Sequence, residues 1–149
     1  PHACFLLHRG IKTLSIRMER QCKSALLIAK FLEQHKKVNQ VNYPGLVSSK
    51  SHARGKQFLC GFGGMLSFII EGGIKTADAF ISKLDIPIST ASLGGVESLI
   101  TRPVQTSHSL LSDEELELAG IDKSLIRMSV GIESVNDLID DISQALDSI

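Results

Sequence analysis

The strongest constraint on the fold is a long run in which apolar residues recur at steps of three and four. The run extends from Ile11 to Leu32, and this spacing places the apolar side chains along one face of an α-helix. Charged residues between Arg9 and Lys23 mostly fall on the other side. We therefore predict one long amphipathic helix that ends near His35. Its apolar stripe consists of Ile11, Leu14, Met18, Cys22, Ala25, Ala29 and Leu32.

Short segments rich in β-forming residues follow this helix and alternate with further helical patterns. A capping box, Ser112 with Glu115, opens one of these helices, Gly120 closes it, and Ser134 caps the last helix. The pattern predicts a small α+β domain with one sheet of about four strands and helices on one face. The candidate strands are residues 38–43, 65–70, 86–89, 97–101 and 125–130, and the shorter helices lie within 48–56, 74–84, 112–120 and 134–146.

Composition excludes several functional classes. Lys and Arg together number 16, as do Asp and Glu, so the formal net charge is zero and a strongly electrostatic nucleic-acid binder is not expected. No apolar run approaches the roughly 20 residues that a membrane span needs, so no membrane partner is expected. The three cysteines have no paired spacing, which argues against a disulfide framework or a zinc site. A reducing, cytoplasmic location fits best.

The first ten residues lack the layout of a signal peptide but contain an apolar patch at residues 3–7. We interpret this opening as a cut from a longer chain. The alternative is an expressed chain from which a tag has been removed.

Arg127 is the residue that physical reasoning selects as a binding candidate. It lies between apolar residues of a predicted strand, where Arg127 and Ser129 share one face while Ile126 and Met128 share the other. A guanidinium suits bidentate binding of a carboxylate, although structural pairing or plain exposure would also explain it. Ser107 and His108 lie in a polar loop after Pro103, and catalysis by this pair is disfavoured because the side chains of adjacent residues point apart.

Five segments together resemble the family of cystathionine γ-synthase, cystathionine γ-lyase and methionine γ-lyase, the pyridoxal-phosphate enzymes of cysteine and methionine metabolism. Their order and spacing also match, and they cover nearly the whole chain. The segments are RGIKTL at 9–14, YPGL at 43–46, GFGGMLSF at 61–68, SLGGVESLI at 92–100 and SLIRMSVGIE at 124–133.

The resemblance implies the small C-terminal domain of a fold-type-I pyridoxal-phosphate enzyme, with a mostly antiparallel sheet. Residues 1–36 would form the connecting helix to a missing N-terminal large domain, and residues 37–149 the substrate-positioning domain. The family's Schiff-base lysine lies in an upstream motif that none of the ten lysines here matches. This chain would therefore hold no catalytic, cofactor-binding or metal-binding residue and would be inactive alone, within a homotetrameric, cytoplasmic parent.

The family's substrate contacts carry over to matching positions. Arg127 would hold the α-carboxylate of a small sulfur amino acid, Ser92 and Leu93 would line that side of the pocket, and Ser107 would support the arginine. Ala91 departs from members that have a glutamate there to handle cystathionine. The implied reaction is β- or γ-elimination or γ-replacement. The alternative function is a stand-alone or split-gene domain that binds carboxylates or a partner chain without catalysis.

Overall fold

The computed structural model describes all 149 residues and opens with two helices rather than the predicted single one. Helix α1 spans His2–Ile11 and helix α2 spans Leu14–Gln34. The side chain of Arg17 bridges the break, donating to the Gly10 carbonyl at 3.0 Å and to the Thr13 hydroxyl at 3.3 Å. Every residue of α1 is exposed, and so short an apolar patch gives little periodicity from which to predict a helix.

Four further helices and five strands complete the chain. The strands are β1 Val38–Asn42, β2 Met65–Ile70, β3 Ile88–Ser89, β4 Leu99–Thr101 and β5 Ile126–Ser129. The helices are α3 His52–Phe58, α4 Gly73–Ser82, α5 Asp113–Leu118 and α6 Val135–Asp147. The predicted capping box is confirmed at α5, where the Ser112 and Glu115 side chains each bond the other's backbone N–H. The prediction that Ser134 caps α6 is correct for its position but wrong for its chemistry, because the Ser134 side chain makes no capping hydrogen bond.

The strands form a single sheet in the order β1-β2-β5-β4-β3. The pairings β1–β2, β2–β5 and β5–β4 are antiparallel, whereas β3 and β4 run parallel. The predicted α+β class is confirmed. The sheet is mixed and has five strands rather than about four, because both short segments after α4 join its edge.

One face of the sheet carries the hydrophobic core. Phe68 of β2 and Ile126 and Met128 of β5 are fully buried there against α2, α4 and α6. The second half of α2 shares this core, with Ile28 and Leu32 fully buried, so α2 is anchored at its C-terminal end. Burying apolar surface at this face is the dominant favourable contribution to folding.

The opposite face of the sheet is covered in part by the segment that joins β3 to β4. This β3–β4 loop, residues 90–98, leaves the sheet edge and lies over the outward-facing side chains of β5. None of the helices has the length and apolar content that a bilayer crossing requires.

Candidate functional site

Strand β5 presents two polar side chains to the β3–β4 loop. Because side chains alternate along a strand, Arg127 and Ser129 project from the face opposite the buried Ile126 and Met128, as predicted. The Arg127 Nη2 donates to the Ser92 carbonyl oxygen at 3.2 Å, and the Ser129 hydroxyl accepts from the Gly94 N–H at 2.8 Å. The structure thus brings Arg127 and Ser92 together.

The base of the β3–β4 loop is fixed by Glu133. One carboxylate oxygen accepts from the Ser98 N–H at 2.5 Å and the other from the Ser98 hydroxyl at 2.9 Å. The same hydroxyl accepts from the Gly131 N–H at 2.9 Å. Gly131 approaches so closely that a methyl group there would clash with the Val96 carbonyl, so this position requires glycine. The loop and the segment after β5 therefore form one hydrogen-bonded unit.

A third contact reaches the loop from α2. The Gln21 amide donates to the Gly95 carbonyl at 2.7 Å, and Gln21 is only 2% exposed. Sequence reasoning missed this residue, although a signal was present. Gln21 lies three residues after Met18 and four before Ala25, so it is a polar residue within the predicted apolar stripe.

Arg127 has no acidic partner within the chain. The ion pairs are Lys23–Glu19, Arg102–Asp78 and Lys123–Asp113, and none involves Arg127. A guanidinium carries five N–H donors, and the hydrogen bond to Ser92 uses only one of them. The half-buried Arg127 can therefore present a charged fork to an external carboxylate.

The other two predicted site residues, Leu93 and Ser107, make no hydrogen bond with Arg127. Leu93 lies exposed at the tip of the β3–β4 loop, beside the exposed Ala91. Ser107 lies in an exposed turn after the short 3₁₀ helix Pro103–Gln105, and its hydroxyl is 2.8 Å from Nδ1 of His108 rather than bonded to Arg127.

The expectation that Ser107 and His108 point apart is wrong, because the turn that carries them brings the Ser107 hydroxyl to 2.8 Å from Nδ1 of His108. No carboxylate orients this pair, so it lacks the third member that a nucleophile–base arrangement uses.

No lysine contacts this cluster by a hydrogen bond. Lys23 pairs with Glu19, Lys123 pairs with Asp113, and Lys37 donates to the carbonyls of Leu146 and Ile149. The charged and polar groups that meet here suit a carboxylate ligand.

Comparison with known protein families places these features in context. The sequence model described as "Cys/Met metabolism PLP-dependent enzyme" matches residues 1–147. A cystathionine gamma-lyase of Dictyostelium discoideum is 48% identical over 99% of this chain, and a homocysteine synthase of Schizosaccharomyces pombe is 44% identical over 99%. The chain spans 38% and 34% of the lengths of these two relatives.

Solved structures give the same result. A cystathionine gamma synthase of Xanthomonas oryzae pv. oryzae, determined in complex with cystathionine, superposes with a TM-score of 0.90 at 41% identity, covering 93% of this chain and 36% of that one. A protein of Campylobacter jejuni, determined with N'-pyridoxyl-lysine-5'-monophosphate, superposes with a TM-score of 0.92 at 39% identity, covering 95% and 34%.

Proposed function

The chain belongs to the Cys/Met metabolism PLP-dependent enzymes, and on that premise we propose that it is the C-terminal, substrate-positioning part of a trans-sulfuration enzyme. The reaction would be β- or γ-elimination, or γ-replacement, on cystathionine, methionine, cysteine or an activated homoserine. Relatives named as a lyase and as a synthase match the chain about equally well, so the proposal covers both reaction types.

The observation that carries the proposal is the unpaired guanidinium of Arg127 beside the Ser92 carbonyl. An amino-acid substrate always brings an α-carboxylate, and a planar fork can bind both of its oxygens at once. Ser92 and Leu93 lie on the loop above Arg127, where they would line the carboxylate side of the pocket. Holding the carboxylate selects which bond of the substrate is aligned for cleavage.

The proposal divides the work between two parts of a longer enzyme. Pyridoxal phosphate supplies the electron sink for carbanion chemistry. Its lysine would lie in the large N-terminal domain, so the 149-residue chain would be inactive by itself. Residues 1–36 would make the connection to that domain and residues 37–149 would position the substrate. Ser107 would support Arg127 through a rearranged turn.

An exposed apolar surface supports an interface with the large domain. It comprises α1 and the first half of α2, where Phe5, Leu7 and Ile16 are 60%, 66% and 72% exposed. Several large apolar side chains exposed to this extent on two consecutive helices indicate an interaction site. We propose that the large domain covers it in a homotetrameric, cytoplasmic enzyme.

Arg127→Lys in the full-length enzyme tests the proposed function. Lysine keeps the charge but loses the fork, and a lost charged hydrogen bond costs about 1.5–3 kcal/mol. We expect kcat/KM to fall about ten- to hundredfold with normal cofactor absorbance.

The matched control is Arg54→Lys on α3, because Arg54 is exposed and makes no side-chain hydrogen bond. Unchanged efficiency in Arg127→Lys, with a normal cofactor spectrum, would remove Arg127 from the site.

A further inference from the structure

The β3–β4 loop is held at its tip by three contacts that differ in what substrate binding would do to them. Ser129 holds the Gly94 N–H, Arg127 holds the Ser92 carbonyl, and Gln21 holds the Gly95 carbonyl. The inference below rests on the proposed function, in which Arg127 turns its N–H groups to a carboxylate. Arg127 would then serve both the substrate and the Ser92 carbonyl, whereas the bonds from Ser129 and Gln21 serve the loop alone.

The Gln21 contact is built more rigidly than an ordinary surface hydrogen bond. Its side chain is 2% exposed, so water competes little for the amide. Gly64 packs against it, and a methyl group at Gly64 would lie 3.0 Å from the Gln21 Cβ. A buried amide is costly unless it is hydrogen-bonded, so the bond to Gly95 is strongly favoured.

The tip of the loop has little other support. Ser92, Leu93 and Gly94 are exposed, and Gly94 has the left-handed φ of +76° that gives the backbone a sharp turn. Beyond Gly95, the Val96 carbonyl accepts from the Ile132 N–H at 2.8 Å, and Glu133 fixes the base of the loop through Ser98. The position of Ser92 relative to Arg127 therefore depends on the two residues that are held nearby, Gly94 by Ser129 and Gly95 by Gln21.

We propose that Gln21 is a positioning residue for the carboxylate site. Its amide fixes the position of Gly95, and Gly95 in turn sets the distance of Ser92 and Leu93 from the Arg127 guanidinium. Helix α2 thereby becomes part of the substrate site without touching the substrate. If this distance were wrong, the site would lose its preference for ligands that carry a carboxylate, since a misplaced guanidinium cannot engage both oxygens.

The test compares L-methionine with L-methioninamide, which lacks the carboxylate, in the full-length holoenzyme. The readout is the ratio of their half-saturating concentrations, followed by cofactor absorbance. Gln21→Met keeps the length of the side chain and removes the amide donor. We expect this variant to lower the preference for L-methionine about three- to tenfold, in line with the loss of one neutral hydrogen bond. The matched control, Gln34→Met, changes an exposed glutamine on the same helix and should keep the wild-type ratio.

The ratio separates positioning from general damage, because a merely destabilised enzyme would lose both ligands equally. If Gln21→Met does not fold, Gln21→Glu supplies a second variant that keeps the shape and loses the donor in its ionised form. A wild-type ratio in the folded variant, alongside a collapsed ratio in Arg127→Lys, would overturn the role of Gln21 and leave the proposed function standing. A wild-type enzyme with no preference for L-methionine would overturn the proposed function itself, and this inference with it.

Discussion

Arg127 lies on β5 and Arg102 directly follows the neighbouring strand β4, but their surroundings are opposite. Arg102 follows Thr101, the last residue of β4, which pairs with Arg127 of β5. The Arg102 side chain is 6% exposed and donates to both carboxylate oxygens of Asp78, at 2.7 and 3.0 Å, and to the Lys123 carbonyl at 2.8 Å. Arg127 is half-buried and makes a single side-chain hydrogen bond, to the Ser92 carbonyl.

The difference shows that the hydrogen-bond partners of an arginine side chain indicate whether it serves the fold or a ligand. A buried guanidinium must find its partners within the protein, because removing it from water is costly otherwise. Helix α4 supplies Asp78 to Arg102, and no element supplies a carboxylate to Arg127. An unpaired arginine beside a loop is therefore available to a ligand, whereas a fully paired one contributes to the fold.

Arg102→Met should have the largest effect, because it breaks the more buried cluster. The variant removes the guanidinium from the Lys123 carbonyl and from Asp78, which keeps only a hydrogen bond of 3.5 Å from the Gln105 amide. We expect a loss of about 3 kcal/mol in the free energy of unfolding. Denaturant titration measures this loss. Arg54→Met, at an exposed arginine on α3, is the control and should change the free energy by no more than about 0.5 kcal/mol. Equal unfolding midpoints for the two variants would contradict the contrast.

Tyr43 resembles Arg102 in having its polar group satisfied inside the chain. Its hydroxyl donates to the Gly63 carbonyl at 2.9 Å, and burial, with a smaller contribution from Cys22, raises the pKa of Tyr43 to about 12. Since the unfolded pKa is about 10, the folded state holds the proton more tightly. This contribution to stability is complete below pH 10 and is lost as the pH rises from 10 to 12.

Tyr43→Phe should lower the free energy of unfolding by about 1 kcal/mol near neutral pH. Above pH 10, we expect the free energy of unfolding of the variant to fall less steeply with pH than that of the wild type. The chain has one tyrosine and no tryptophan, so tyrosinate absorbance reports on Tyr43 alone. If the tyrosine titrated over the same pH range in the folded and the denatured protein, Tyr43 would not be buried as described.

We expect Arg127→Met to have the smallest effect on the free energy of unfolding. This variant tests the second half of the comparison between Arg102 and Arg127. The variant loses one hydrogen bond on a half-buried face, and we expect a change of less than about 1 kcal/mol in the free energy of unfolding. The measurement is the same denaturant titration. A loss as large as that of Arg102→Met would place Arg127 among the structural arginines.

Local patterns explain why the position of Arg127 was predictable from the sequence. Period-two alternation placed it opposite Ile126 and Met128, and both of these are fully buried. The capping box at Ser112 and the amphipathic faces of α2 and α6 are equally local, because each depends on residues a turn or two apart. The resemblance to the family added the link between Arg127 and Ser92, which are separated by 35 positions.

The remaining features depend on contacts that local patterns do not encode. The parallel pairing of β3 with β4 is determined by how the chain folds back on itself, and the identities of Ile88 and Ser89 do not predict it. The Gln21 contact joins residues 74 positions apart. The closeness of Ser107 and His108 depends on a turn that the sequence does not mark.

The parallel pairing of β3 and β4 has a consequence for how this family can vary. A chain that leaves one strand and enters its parallel neighbour must travel back along the full length of the pair, which a hairpin cannot do. Residues 90–98 make that return, so the segment that carries Ser92 is an obligatory crossover in the topology. Shortening it would unpair the edge strand. Exchanging exposed side chains, such as those of Ala91 and Leu93, leaves this return path intact, so the segment can change its chemistry without changing the topology.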